Sequence, residues 1–136
     1  PLGILGIEDL ARLRYVNRQK GSGTRILLDY LLKQGGVDAE GIKGYEREEI
    51  THTAVAAAVA SGTADAGMGI LAAARIYDLD FIPICEEEYD FLIAEESSQH
   101  PQFLRFMRML QSEELAQRLE AMGGYELDRP GEPIEI

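Results

Sequence analysis

Apolar and polar positions change period several times along the chain, and each change marks an element. Ile7 to Leu13 reads as one or two helical turns, with Glu8 and Asp9 near their start, where acidic groups suit the helix dipole. Tyr15 and Val16 favour extended backbone. From Thr24 the apolar residues Ile26, Leu27, Tyr30 and Leu31 follow helical spacing and predict a helix to about Gln34, ended by Gly35-Gly36. Val37 to Gly44 reads as a loop. Gly44 to Ile50 predicts a second strand, a weak one, since Glu46, Arg47, Glu48 and Glu49 have poor strand propensity. Thr51 or Thr53 caps an alanine-rich helix that runs through Ala60 and stops at Ser61-Gly62.

The second half continues the alternation. Asp65 to Ile70 reads as a short strand whose glycines let backbone approach a ligand or another element. Leu71 to Tyr77 predicts a short helix. Leu79 to Ile84 and Tyr89 to Ala94 read as apolar strands, separated by Glu86-Glu87-Glu88. Ser97 or Ser98 caps a helix from about Pro101 to Leu110, and Ser112 to Met122 continues it or opens another, ended by Gly123-Gly124. The tail, Tyr125 to Ile136, reads as an edge strand or a linker. Strands alternating with helices across short loops predict an α/β fold: a mixed, mostly parallel sheet with helices on both faces. Ligands of such sheets sit at the carboxyl ends of strands, beside helix N-termini. Three places meet that rule: Gln19 to Arg25, Thr51 to Thr53, and Gly67 to Ile70.

Size and composition agree with one domain. The chain has 136 residues, 46% of them hydrophobic, and 14 glycines for tight turns. No apolar run approaches the length of a membrane span. The opening Pro-Leu-Gly-Ile-Leu-Gly lacks the basic flank of a signal peptide and an initiator Met, which reads as an excised domain or a processed chain. Cys85 is the only cysteine, so an intramolecular disulfide is excluded, and its apolar neighbours predict a buried core thiol. The net charge of −11 argues against nucleic-acid binding by the overall field. Charge is uneven, however. Arg12, Arg14, Arg18, Lys20 and Arg25 lie between Leu10 and Leu28 with no acidic residue among them, in a chain with 24 acidic residues.

That basic stretch contains Gly21-Ser22-Gly23-Thr24. It lacks the ending of a P-loop and the third glycine of a dinucleotide fingerprint. What it offers is a small oxyanion nest: the N–H groups of Ser22 to Arg25 and the hydroxyls of Ser22 and Thr24, at the positive end of a helix. Arg18 or Arg25 adds a charge-assisted bond. The same residues also serve a capped helix after a tight turn, with no ligand at all. His52, between Thr51 and Thr53, stands at a second helix start, where it reads as a capping residue or as part of the same cleft. Asp65 reads as a turn residue bonding backbone. The carboxylates from Glu86 to Glu96 read as a solvated acidic edge. No nucleophile–base pair and no His-Glu metal motif is present, so no catalytic residue, metal or cofactor is assigned.

At these residues the chain resembles the periplasmic-binding-protein-like family. The carrying segments are Arg14 to Arg25, Thr51 to Gly67, Leu79 to Ile84, and Glu88-Tyr89-Asp90. Most closely it is similar to the substrate-binding domain found with molybdopterin-biosynthesis and molybdate-responsive proteins. The resemblance implies a type II fold, two α/β lobes closing on a small oxyanion, with molybdate or tungstate the usual suggestion. It implies ligand contacts from Ser22, Gly23, Thr24 and Thr51, with Asn17, Arg18, Arg25, His52 and Gly69 beside them. It also implies a cytoplasmic protein in which such a domain is joined to a DNA-binding or cofactor-synthesis domain. The glycine turn comes early, so residues 1–136 read as one full lobe, about 10–75, a return to part of the other, about 76–124, and a tail, 125–136. An incomplete lobe leaves a sheet face that favours a homodimer. The leading expectation is a non-catalytic oxyanion-binding domain. The alternatives are an oligomerisation module that has lost its ligand and an enzyme acting on a phosphorylated or organic-acid substrate.

Overall fold

The computed structural model of the chain describes residues 3–134. Pro1, Leu2, Glu135 and Ile136, the outer ends of the predicted entry and tail, lie outside the described residues. The chain divides into two compact units, Pro1–Ile84 and Cys85–Ile136.

The first unit is built on β1, Tyr15–Arg18, all four residues of which are buried. Successive side chains of a strand point to opposite faces. Tyr15 accordingly joins one core, with Leu10, Leu13, Leu28, Leu32 and Ile42. Val16 joins another, with Val55, Ala58 and Ala64. Leu28 and Leu32 belong to α1, Gly23–Gln34. Val55 and Ala58 belong to α2, His52–Ala60. Helices therefore cover both faces of the strand, as the alternation predicts. Two short strands flank it, β2 (Glu48–Glu49) and β3 (Ala66–Gly67), in the order β2-β1-β3 with both pairings parallel. Asn17 pairs with Glu48, and Tyr15 with Ala66. The sheet of the described residues is thus wholly parallel. Gly67 is where α2 and β1 press closest on β3: a Cβ there would come 2.5 Å from Val55 Cγ1 and 2.9 Å from the Val16 carbonyl. The approach that this glycine permits is to other elements of the fold. The helix α3, Leu71–Ile76, follows, with Ala72, Ala73 and Ala74 buried.

Helix α1 presents a different face from the one its spacing suggests. Arg25, Leu28 and Leu32 are buried, whereas Ile26 and Tyr30 are exposed. The helix carries apolar residues on more than one side, and its rotation is set by where Leu28 and Leu32 meet Leu10, Leu13 and Ile42.

Asp65 ties the start of β1 to the lead-in of β3. Its carboxylate accepts from the backbone N–H of Arg14 at 2.9 Å and from Arg14 Nε at 3.0 Å. These bonds hold its pKa down, from 3.8 to about 2. A carboxyl whose folded pKa lies below its unfolded one stabilises the fold above the unfolded value and loses that contribution as pH falls through the folded one. Wild-type stability is therefore expected to drop between pH 3.8 and about 2, and Asp65→Asn to lack that component of the drop while being less stable at neutral pH. Urea midpoints across this range check it.

Among its described residues the second unit holds two α-helices, α4 (Pro101–Leu110) and α5 (Glu113–Met122). The predicted Ser97 or Ser98 cap is replaced by His100, whose side chain accepts from the N–H of Gln102. Ser97 closes a short 3-10 turn, Glu95–Ser97, instead. Ser112 accepts from the N–H of Leu115 and opens α5 as a separate helix. Phe91 meets Phe106 edge to face, with centroids 5.1 Å apart. No described residue of this unit is fully buried.

Several predicted strands do not form. Leu79 to Ile84 and Tyr89 to Ala94 are irregular, with Phe81, Ile82, Ile84, Phe91, Leu92 and Ile93 exposed, and the described tail forms no strand. A strand is completed by ladder bonds to a neighbour. Among the described residues no ladder bonds form along either run. Cys85, expected in the core on the strength of the same apolar neighbours, is exposed for the same reason.

Candidate anion-binding site

Parallel β1 and β2 end at the same edge of the sheet, and each leads directly into a helix. After Arg18, the last residue of β1, Gly21 turns the chain with φ 89° and α1 begins at Gly23. After Glu49, the last residue of β2, α2 begins at His52. Both helix N-termini therefore stand at one edge with unpaired N–H groups and the positive ends of their dipoles. Ser22 caps α1, its hydroxyl accepting from the N–H of Arg25 at 3.2 Å. Thr51 caps α2, its hydroxyl accepting from the N–H of Ala54 at 3.0 Å. Gly23 and Thr24 form the first turn of α1. A capped helix loses about 1 kcal/mol when its cap becomes alanine. Thr51→Ala is expected to show that loss in chemical unfolding.

The polar centre of this edge is Arg18, which is 9% exposed. Its Nη2 donates to the Ile50 carbonyl at 2.9 Å, and its Nε to Gln19 Oε1 at 3.3 Å. Its Nη1 is buried with no partner. His52, on the same side, has a buried Nδ1 that also lacks a partner. Burial, and next the positive charge of Arg18, hold the His52 pKa below its ordinary 6.5. Gly69 lies beside the ring, its missing Cβ position 3.6 Å from Nδ1. A cleft of about 80 Å³ opens from His52 between α2, α3 and residues 79–81, with Val55, Ile70 and Phe81 among its walls. Unpaired buried polar atoms are rare and costly. Arg18 ends β1 and His52 opens α2, so the two partnerless atoms belong to the edge where these elements meet.

Asn17 and Arg25 serve the framework. Asn17 is 1% exposed; its Nδ2 donates to the Tyr45 carbonyl and its Oδ1 accepts from the Arg18 N–H. Arg25, 4% exposed, donates through Nε to both oxygens of Asp29 and through Nη1 to Glu48 Oε1. Its guanidinium stands 4.2 Å from the ring centroid of Tyr45. Gln19 opens the first of the three places marked by the strand-end rule, without a role of its own there, and the Ile50 carbonyl, which also holds Arg18, is not marked by it. A backbone carbonyl has no residue-type signature, and the position of Ile50 before Thr51 was the only available cue.

Comparison with known proteins adds the family. The family model described as "PBP superfamily domain" matches residues 1–111. The chain belongs to this PBP superfamily family. Domains of this kind generally bind ligands rather than catalyse reactions, and the parallel α/β unit agrees with the match. Among relatives, the chain is 38% identical to the uncharacterized protein YvgK of Bacillus subtilis (strain 168) over 136 residues, covering 98% of this chain and 44% of that protein. It is 37% identical over 110 residues to an uncharacterized protein in the ferredoxin 2Fe-2S gene 5′ region of Clostridium pasteurianum, covering 80% of this chain and 97% of that protein. This PBP-like chain thus spans less than half the length of YvgK. No solved structure matches it. No helix among the described residues is long and apolar enough to cross a membrane.

Proposed function

We propose that this chain is a non-catalytic domain that binds a small oxyanion, with molybdate and tungstate as the leading ligands. The observation that carries the proposal is the pair of partnerless buried atoms, Arg18 Nη1 and His52 Nδ1, beside the start of α2. An oxyanion would accept from Arg18 Nη1 and from the first N–H groups of α2, with the α1 start at Ser22, Gly23 and Thr24 as a second wall. Family membership supports a ligand-binding role. In this reading the fold is type II, with two lobes closing over the anion so that binding becomes a change of shape. The domain serves, in the cytoplasm, as the ligand part of a larger regulatory or molybdenum-cofactor-related protein, joined to a DNA-binding or cofactor-synthesis domain.

Calorimetric titration with molybdate, tungstate, sulfate and phosphate tests the proposal. Saturable binding of at least one anion is the expected result, and no binding of any sinks it. A second reading, an interaction module that keeps the fold without the ligand, draws on the exposed Ile26, Tyr30 and Ile50 of the first unit. A stable homodimer that buries the Gly21–Thr24 turn, and that binds no anion, would favour it.

A further inference from the structure

We infer that His52 takes up a proton when the oxyanion binds, so that the anion is held between an imidazolium and the Arg18 guanidinium. This inference rests on the anion-binding reading and adds to it the protonation state and the charge class of the ligand. His52 is the first residue of α2, where the positive end of the helix dipole disfavours a second positive charge. Its Nδ1 is buried without a partner, and the positive charge of Arg18, at the end of β1, acts on the ring. The remaining walls add little charge. Val55, Ala56 and Val59 from α2, and Ala73 and Ala74 from α3, are apolar; Gly67, Gly69 and Ile70 carry no charge. Asp80, on the segment after α3, is the charged group along the cleft, and it is exposed to solvent. The ring is therefore neutral near pH 7.

An oxyanion at this edge reverses each of those effects. It supplies the missing acceptor for a ring N–H, and its charge offsets both Arg18 and the helix dipole. A divalent anion keeps one negative charge after Arg18 is matched, and a proton on His52 answers it. A monovalent anion is matched by Arg18 alone. The site accordingly favours divalent oxyanions, and favours them more strongly as pH falls.

The test is calorimetry of the whole chain with molybdate and sulfate in buffers of different ionisation enthalpy, between about pH 6 and pH 8. Neither anion carries a titrating proton in that range, so any uptake belongs to the protein. Net uptake approaching one proton is expected, with affinity rising by up to about tenfold for each unit fall in pH. His52→Gln is expected to bind more weakly and with no pH dependence in that window. Nitrate, as a monovalent control, is expected to bind without uptake. The His52 ring carbon shift, followed by NMR, is expected to report a higher pKa with molybdate than without. Binding without proton uptake, or uptake that persists in His52→Gln, overturns the inference alone. Failure of every anion to bind at every pH overturns the anion reading itself.

Discussion

Replacing Arg18 with Met is expected to weaken oxyanion binding by about 30-fold or more at neutral pH. Truncating one member of a buried, hydrogen-bonded charge contact costs about 2–5 kcal/mol, and about 1.4 kcal/mol is a factor of ten. Met keeps most of the volume of the buried side chain, which limits the packing loss. The substitution also takes the donor away from the Ile50 carbonyl, 2.9 Å from Nη2. A loss of about 1 kcal/mol in stability is expected from that, too little to unfold an ordinary domain. Arg18→Lys separates charge from geometry. An ammonium keeps the charge, but its three donors radiate from one nitrogen and lack the planar fork that spans Ile50, Gln19 and the anion. Its affinity should fall between those of the wild type and Arg18→Met. Calorimetric titration with molybdate and sulfate, alongside a urea midpoint for each variant, decides it. Wild-type affinity in a folded Arg18→Met variant would sink the assigned role.

The largest effect on stability is expected at Gly44. It has φ 92°, a conformation that L side chains rarely adopt. A Cβ there would overlap the Tyr15 carbonyl oxygen and stand 3.2 Å from the Tyr15 carbonyl carbon. Those are backbone atoms of β1, the strand between the two cores, and they cannot rotate away. The neighbouring bonds are short: the Tyr15 N–H donates to the Lys43 carbonyl at 2.8 Å, and the Arg47 N–H to the Gly44 carbonyl at 2.9 Å. Gly44→Ala combines the left-handed penalty, about 1–2 kcal/mol, with overpacking of about 1–3 kcal/mol. A total near 3–4 kcal/mol is a large part of a small domain's stability. Gly36→Ala is the matched control, since Gly36 has φ 65° and no atom within 4 Å of its Cβ position. It should lose only the conformational part. Similar urea midpoints for the two variants would contradict the close approach at Gly44.

Some of this was legible from residue order, for local reasons. Tyr15 and Val16 as strand, a Ser or Thr cap after the glycine turn, Thr51 or Thr53 as the next cap, and Gly35 and Ser61 as stops all depend on a residue and its near neighbours. Local physics acts within a turn or two, so pattern finds it. The apolar runs at 79–84 and 89–94 failed because strand formation is not local. The runs have the right composition, but among the described residues no ladder receives them. The face of α1 failed for a related reason. Two apolar stripes were available, and only Leu10, Leu13 and Ile42 decide which one turns inward.

The sequence by itself determined an α/β chain with a basic glycine turn at one helix start and a threonine cap at another, and it carried the family resemblance. It put Ser22, Thr24 and Thr51 first and left Asn17, Arg18, Arg25 and His52 beside them undistinguished, because residue type shows chemistry but not partners. Only the tertiary structure separated them. Asn17 meets the Tyr45 carbonyl, and Arg25 meets Asp29, Glu48 and the ring of Tyr45. Arg18 and His52 each keep a buried polar atom with nothing to bond. Whether a buried group is satisfied depends on atoms 28 or 32 residues away in the chain, as with Asn17 and Tyr45 or Arg18 and Ile50. No local pattern carries that information, and it is what turns a helix start into a candidate site.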